Sequence, residues 1–166
     1  MKKKLIVLLP VILGVVLLDQ VTKILVLKLM TLGQSIPIIP NALNLTYIQN
    51  RGAAFGMLAN HRWVFMVISI VAIGGICFYL FGFCRERMIL QIGLAFIAGG
   101  GIGNMIDRVA YGYVVDMIDF CLFDFWKWIF NVADAFVCIG AGLVVLALIL
   151  DIISEGKKKK VKNENN

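Results

Sequence analysis

Four apolar stretches dominate this chain, roughly Leu5–Leu27, Trp63–Phe83, Met88–Ile106 and Trp128–Leu150. Each approaches or exceeds the roughly 20 apolar residues a helix needs to cross about 30 Å of hydrocarbon. Lipid offers no hydrogen bonds to a backbone, so stretches of this kind are confined to helices. Composition agrees: 61% of the residues are hydrophobic and 16% charged, against about 45–50% and 25% in soluble domains. The expected fold is an α-helical membrane protein, a four-transmembrane-helix bundle forming one membrane domain over residues 1–166.

Polar residues are conspicuous against that background. A charge at mid-membrane costs roughly 2.5–3.5 kcal/mol on insertion scales, so such groups usually mark function. Asn104, Asp107, Arg108, Asp116, Asp119, Asn131 and Asp134 crowd into one region between two apolar stretches. Asn104, Asp107 and Arg108 stand at i, i+3 and i+4, on one helix face. Asp19 and Lys23, four apart, also share a face. They read either as an interfacial ion pair with snorkelling side chains or as a brace for the polar end of the bundle.

The net charge of +6 fits a membrane topology. Lys2–Lys4, Arg85, Arg87, Lys157–Lys160 and Lys162 supply most of the 16 basic residues, and four crossings put all three segments on one side. The positive-inside rule assigns that side to the cytoplasm. Both termini are then cytoplasmic, and 28–62 and 107–127 lie outside. Lys2–Lys4 followed by Leu5–Leu18 look like the start of a secretory signal. The next residues, Asp19 to Lys23, offer no small-residue cleavage site, so a retained first helix with a tolerated Pro10 is expected. The basic tail, 151–166, suits anionic lipid headgroups. No basic domain or aromatic platform accompanies it, so nucleic acid is not an expected partner.

The 28–62 insertion is too long for a plain connection. Ser35–Ile39 and Asn44–Ile48 have strand character, separated by Pro40 and Asn41. A Gly-Ala loop led by Asn50 and Gly52 follows, with Phe55, Met57 and Leu58 making it apolar. A small extracytoplasmic β-sheet and loop region lying on the membrane surface is expected. The 111–127 segment reads as a loop able to clamp a substrate. In the third helix, Ala95, Gly99 and Gly103 form a small-residue stripe that permits close helix approach.

The chemistry narrows by elimination. Ser35, Ser69 and Ser154 sit in no nucleophile elbow. His61 is the sole histidine, which removes His-based triads and zinc motifs. Cys77, Cys84, Cys121 and Cys138 show no metal or redox spacing, and Cys121 in the outer segment has no evident partner. Carboxylates remain, and no metal or cofactor is expected. Two carboxyls held close share one proton, because both cannot ionise together. One then activates a water while the other polarises an amide carbonyl. Asp107 reads as a strut paired with Arg108, and Asp124 as solvated. Asp116 and Asp134, each ending an apolar run (YVVD, NVAD), make the best pair, with Asp119 a rival that spacing does not exclude.

Five blocks in order, DQVTK (19–23), NRGAAFG (50–56), GNMIDR (103–108), VVDMID (114–119) and FNVADA (130–135), make the chain resemble the bacterial lipoprotein signal peptidases, or signal peptidase II. The resemblance covers nearly the whole chain. It departs at Arg51, a variable position, and at Met117, where phenylalanine is common. It implies an aspartic endopeptidase of the cytoplasmic membrane whose site faces outward. Such an enzyme cuts diacylglyceryl-modified prolipoproteins just before the lipidated cysteine, and the lipopeptide globomycin inhibits it. Carried over by position, the catalytic residues are Asp116 and Asp134. Asp19, Lys23, Asn50, Gly52, Asn104, Asp107, Arg108 and Asn131 support site and substrate. A monomer is expected. Two other readings fit less well. A small carrier would place its polar groups near the midplane and show an internal repeat. A GxGD-type protease needs an aspartate that GIGN (101–104) lacks.

Overall fold

The computed structural model describes residues 2–52, 62–83, 87–122 and 128–164. Helix α1 spans Lys2–Leu29 and is followed by strands β1 (Ser35–Ile39) and β2 (Leu43–Asn50). Helix α2 (Arg62–Phe78) runs into a π-helical turn, Tyr79–Phe83. Helix α3 (Met88–Ala110), β3 (Val114–Phe120), β4 (Ile129–Phe130) and α4 (Val132–Glu164) complete the chain. All four helices contain a segment long and apolar enough to cross a membrane: Ile6–Leu29, Met66–Phe83, Met88–Ala110 and Val132–Lys157. The expected residues Phe55, Met57, Leu58, His61, Cys84, Arg85 and Asp124 lie outside the described residues.

Helix α3 is the hub, packed against each of the other three helices. Small residues make this possible. A Cβ on Gly99 would stand 2.8 Å from the Val15 side chain of α1, and one on Gly100 would run into the Ala133 carbonyl oxygen of α4. Gly93 and Gly140 face each other in the same way, each Cβ meeting the other's carbonyl oxygen at 2.8 and 2.6 Å. Leu8 and Ile12 of α1, Leu80, Leu90, Ala95, Ala98 and Ala147 form the apolar core of this bundle. Most of the remaining large apolar side chains on α1, α2 and α4 are exposed on the protein surface, as lipid-facing residues are.

The strands form one antiparallel sheet in the order β1-β2-β3-β4. It sits where α1 and α3 end and α4 begins. Its underside packs on the end of α1 through Val26, Met30, Tyr47, Val115 and Met117. At the opposite end of the bundle, Arg87 Nε meets Asp151 Oδ1 at 2.7 Å, tying the start of α3 to the lower part of α4.

Three boundaries differ from the sequence reading. Helix α3 continues past Ile106 to Ala110, then turns through Gly112, whose φ of +79° suits a residue without Cβ. Helix α4 starts at Val132 rather than Trp128, because Ile129 and Phe130 pair with Asp119 and Ile118. It runs on to Glu164, so most of the basic tail is helical. The 111–127 segment is also not simply a loop, since 114–120 form β3. Val114 to Met117 are all buried, and a strand covered on both faces loses the alternation that reveals strands in sequence.

Helix packing generates a direct expectation. Gly100→Ala should lower the melting temperature in detergent, because overpacking against backbone costs about 1–3 kcal/mol. Gly74→Ala should not, since its Cβ meets nothing within 4 Å. Equal effects of the two changes would refute the close α3–α4 contact.

Candidate active site

The polar residues assemble around a buried cation. Lys23 is 1% exposed, and Asp19 and Asp107 are 0% exposed. Desolvating an ion costs several kcal/mol, so an ammonium here requires close partners. Lys23 Nζ finds three: Asp19 Oδ2 at 2.9 Å, Asp107 Oδ2 at 3.0 Å and Asn104 Oδ1 at 2.9 Å. An ammonium has three protons, and each has an acceptor. Asp19 and Lys23 therefore act as a brace and do not snorkel. Asp107 is ion-paired as expected, but with Lys23; Arg108 follows it on the helix, and adjacent residues do not face each other.

Each of these two aspartates also holds a backbone amide. Asp19 Oδ1 accepts from Ala133 N at 2.8 Å, one of the amides that a helix start leaves without an internal partner. Asp107 Oδ2 accepts from Val115 N at 3.0 Å. Ala133 precedes Asp134, and Val115 precedes Asp116. The triad thus grips the chain next to both candidate acids. Gly103 makes room for it, since a Cβ there would stand 2.5 Å from Asp19 Oδ2.

Helix α4 begins with a reciprocal cap. Asn131 Oδ1 accepts from Asp134 N at 2.9 Å, and Asp134 Oδ2 accepts from Asn131 N at 3.2 Å. This is a capping box with aspartate in the third helical position. The N-x-x-D spacing was its signal in the sequence. The Asn131 amide then reaches outward, donating to Asp116 Oδ1 at 2.6 Å and to Asn104 Oδ1 at 3.0 Å. Asn104 Nδ2 donates to Asp134 Oδ1 at 2.7 Å. Asp116 and Asp134, 18 positions apart by their numbers, are therefore joined through Asn131, whose side-chain amide holds the Asp116 carboxyl and whose backbone N–H holds the Asp134 carboxyl.

Asp116 is 1% exposed and accepts a second bond from Asn50 Nδ2 at 2.9 Å. Asn50 Oδ1 in turn accepts from Gly52 N at 3.0 Å, which orients its amide. Burial pushes the Asp116 carboxyl up to about 7, and the Asp134 charge adds to this, while the bonds from Asn50 and Asn131 and the charge of Lys23 oppose it. Arg108 donates to the Asn104 carbonyl oxygen at 3.3 Å and lies within the fields of Asp134, Asp116 and Asp107. Asp119 goes elsewhere. Three residues along a strand reverse the face, and its Oδ2 accepts from Thr46 Oγ1 at 2.9 Å. All ten residues singled out from sequence fall in this one region. One that sequence reasoning passed over, Gln20, joins them through Asp19 and Asp107. Among the described residues, no group of His, Cys, Asp or Glu is arranged to hold a metal ion. The arrangement offers two linked acids, Asp134 at a helix start and Asp116 in the strand beside it, the latter with its proton affinity raised by burial.

Comparison with known proteins agrees in extent and kind. A family model described as signal peptidase (SPase) II matches residues 11–150. The lipoprotein signal peptidase of Halothermothrix orenii is 46% identical over 138 residues, 83% of this chain and 92% of that protein. That of Brevibacillus brevis is 44% identical over 146 residues, 88% and 94% of the two chains. A bacterial membrane enzyme solved by the in meso method at 2.3 Å superposes with a TM-score of 0.81 at 34% identity, covering 87% of this chain and 88% of that one. A second, solved at 1.9 Å, gives 0.78 at 35% identity, covering 85% and 91%.

Removing the cation should unfold this end of the molecule. Lys23→Met leaves two buried carboxylates facing each other and should cost about 3–5 kcal/mol, read as a large fall in thermal stability. Lys28→Met, at an exposed position on the same helix, should be close to neutral. Asn131→Ala removes a cap worth about 0.5–2 kcal/mol and should lower stability by that smaller amount.

Proposed function

The chain belongs to the signal peptidase II family, and from that premise we propose that it is an aspartic endopeptidase with Asp116 and Asp134 as its catalytic pair. As a protease of this family it removes signal peptides from prolipoproteins. The finer reading is that it cuts just before a cysteine already carrying a diacylglyceryl group. The observation that carries the reading is the Asn131 bridge, which holds the two carboxyls in one polar cluster beside the sheet.

The chemistry follows from one proton shared by two acids. The ionised carboxyl takes a proton from a water lying between them, and the water oxygen attacks the scissile carbonyl carbon. The protonated carboxyl gives its proton to the carbonyl oxygen, forming a neutral tetrahedral diol. In collapse, one hydroxyl proton returns to the acids and a proton passes to the departing amine of the cysteine. The C–N bond breaks, and the pair again holds one proton. No covalent enzyme intermediate forms. Arg108, within the fields of both acids, is the cation available to attract a carbonyl oxygen or lipid ester, and Asn104 and Asn131 hold the acids' orientation.

Topology supports the same assignment. The sheet and polar cluster lie at the end of the bundle away from Lys2–Lys4, Arg87 and the α4 tail, which under the positive-inside rule supports an outward-facing site and cytoplasmic termini. A lipidated substrate arriving within the outer leaflet then meets the acids at the interface. The monomer is sufficient for this chemistry, since every proposed site residue belongs to one chain, and globomycin is the inhibitor to test.

The decisive assay is cleavage of a diacylglyceryl-modified lipobox peptide by the purified enzyme. Asp116→Asn and Asp134→Asn should each lose roughly a thousandfold or more, within the range that acid–base groups supply, while remaining folded. Asp119→Asn should retain turnover, and the reverse pattern would overturn the assignment. Turnover should also fall as pH rises through about 7, because the proton that burial holds on Asp116 is then lost and both acids ionise. A flat profile from pH 6 to about 9 would contradict a shared proton.

A further inference from the structure

Gln20 touches neither candidate acid, yet it sits between the two carboxylates that surround Lys23. Its amide nitrogen lies 3.2 Å from Asp19 Oδ2, 3.0 Å from Asp107 Oδ1 and 3.2 Å from the Gly103 carbonyl oxygen. All three neighbours are acceptors, which identifies the end facing them as the NH2 group. Lys23 cannot substitute for this contact. Its three protons are taken by Asp19 Oδ2, Asp107 Oδ2 and Asn104 Oδ1. Two carboxylates around one ammonium leave an excess negative charge, and the amide dipole of Gln20 is what faces it.

The consequence lies in what the two carboxylates carry. Asp19 holds Ala133 N, next to Asp134, and Asp107 holds Val115 N, next to Asp116. These tethers run to different elements, the first turn of α4 and the middle of the sheet. We propose that Gln20 is a positioning residue: its NH2 group clamps Asp19 to Asp107 and to the α3 backbone, and so sets the separation of Asp116 and Asp134. This rests on the reading of those two acids as the catalytic pair. Without the clamp, Lys23 is the one side chain left that bonds Asp19 and Asp107 to each other, and the two tethered backbones shift independently. A displacement near 1 Å at reacting groups costs about a hundredfold in rate.

Gln20→Met keeps the length and removes the donors; Gln20→Asn keeps the NH2 group one methylene short. The full-length enzyme in detergent should show kcat reduced by about tenfold to a hundredfold in either variant, with KM unchanged. A second readout does not need activity: infrared titration of the protonated Asp116 carboxyl, identified by its loss in Asp116→Asn. The charged groups acting on Asp116 are Asp134 from α4, Lys23 from α1 and Arg108 from α3, and all are retained. With the pair loosened, Asp134 repels less and water enters, so Asp116 should lose its proton at lower pH than in the wild type. Wild-type kcat and titration with only a lower melting temperature would make Gln20 merely structural and overturn the proposal, as would failure of both variants to fold. If the wild type cleaves no lipidated peptide, the peptidase reading fails while the titration still decides the clamp.

Discussion

Everything at the polar end of this molecule depends on one ammonium group held out of water. Lys23 is among the largest fully buried side chains, yet its charge is matched by carboxylates from α1 and α3 and by an amide oxygen of α3. A hydrophobic replacement of the whole cluster would pack with less desolvation. The cluster does something apolar packing cannot. Carboxylate oxygens left over from the ion pairs bind backbone amides of the sheet and of α4. Directional bonds from one buried cation thus fix three separate elements in register.

The candidate acids are themselves structural groups. Asp134 is half of the α4 capping box, and its negative charge sits at the positive end of the helix dipole. Asp116 is buried in a sheet strand and takes two amide bonds. Serving both ends keeps them rigid, as preorganised catalytic groups must be. It also divides their environments. Asp134 meets a helix start and is half-buried, whereas Asp116 is buried within the sheet, and that burial pushes its carboxyl up to about 7.

The sheet and the bundle divide the labour by physical setting. Glycines in α3 let the helices touch through backbone, so the lipid-embedded part needs little polar chemistry to hold together. The polar network can then concentrate at one end, where the sheet covers the tip of α1 and brings β3 beside the start of α4.

The amino-acid sequence by itself determined the four spans, the β1–β2 hairpin and the list of costly polar residues, because apolar length and charge at depth are properties of local composition. The five ordered blocks carried the family in the same way. Only the tertiary structure decided how those residues divide. Asp107 turned from its neighbour Arg108 to Lys23, more than 80 positions away in the chain, since helix geometry points adjacent residues apart. Asp116 and Asp119 separated when VVDMIDF became a strand, which sends positions three apart to opposite faces. The strand itself was hidden because burial on both sides erased its alternation. Gln20 stayed unremarked beside Asp19 because its other partners, the Asp107 carboxylate and the Gly103 carbonyl, come within reach only when α1 packs on α3.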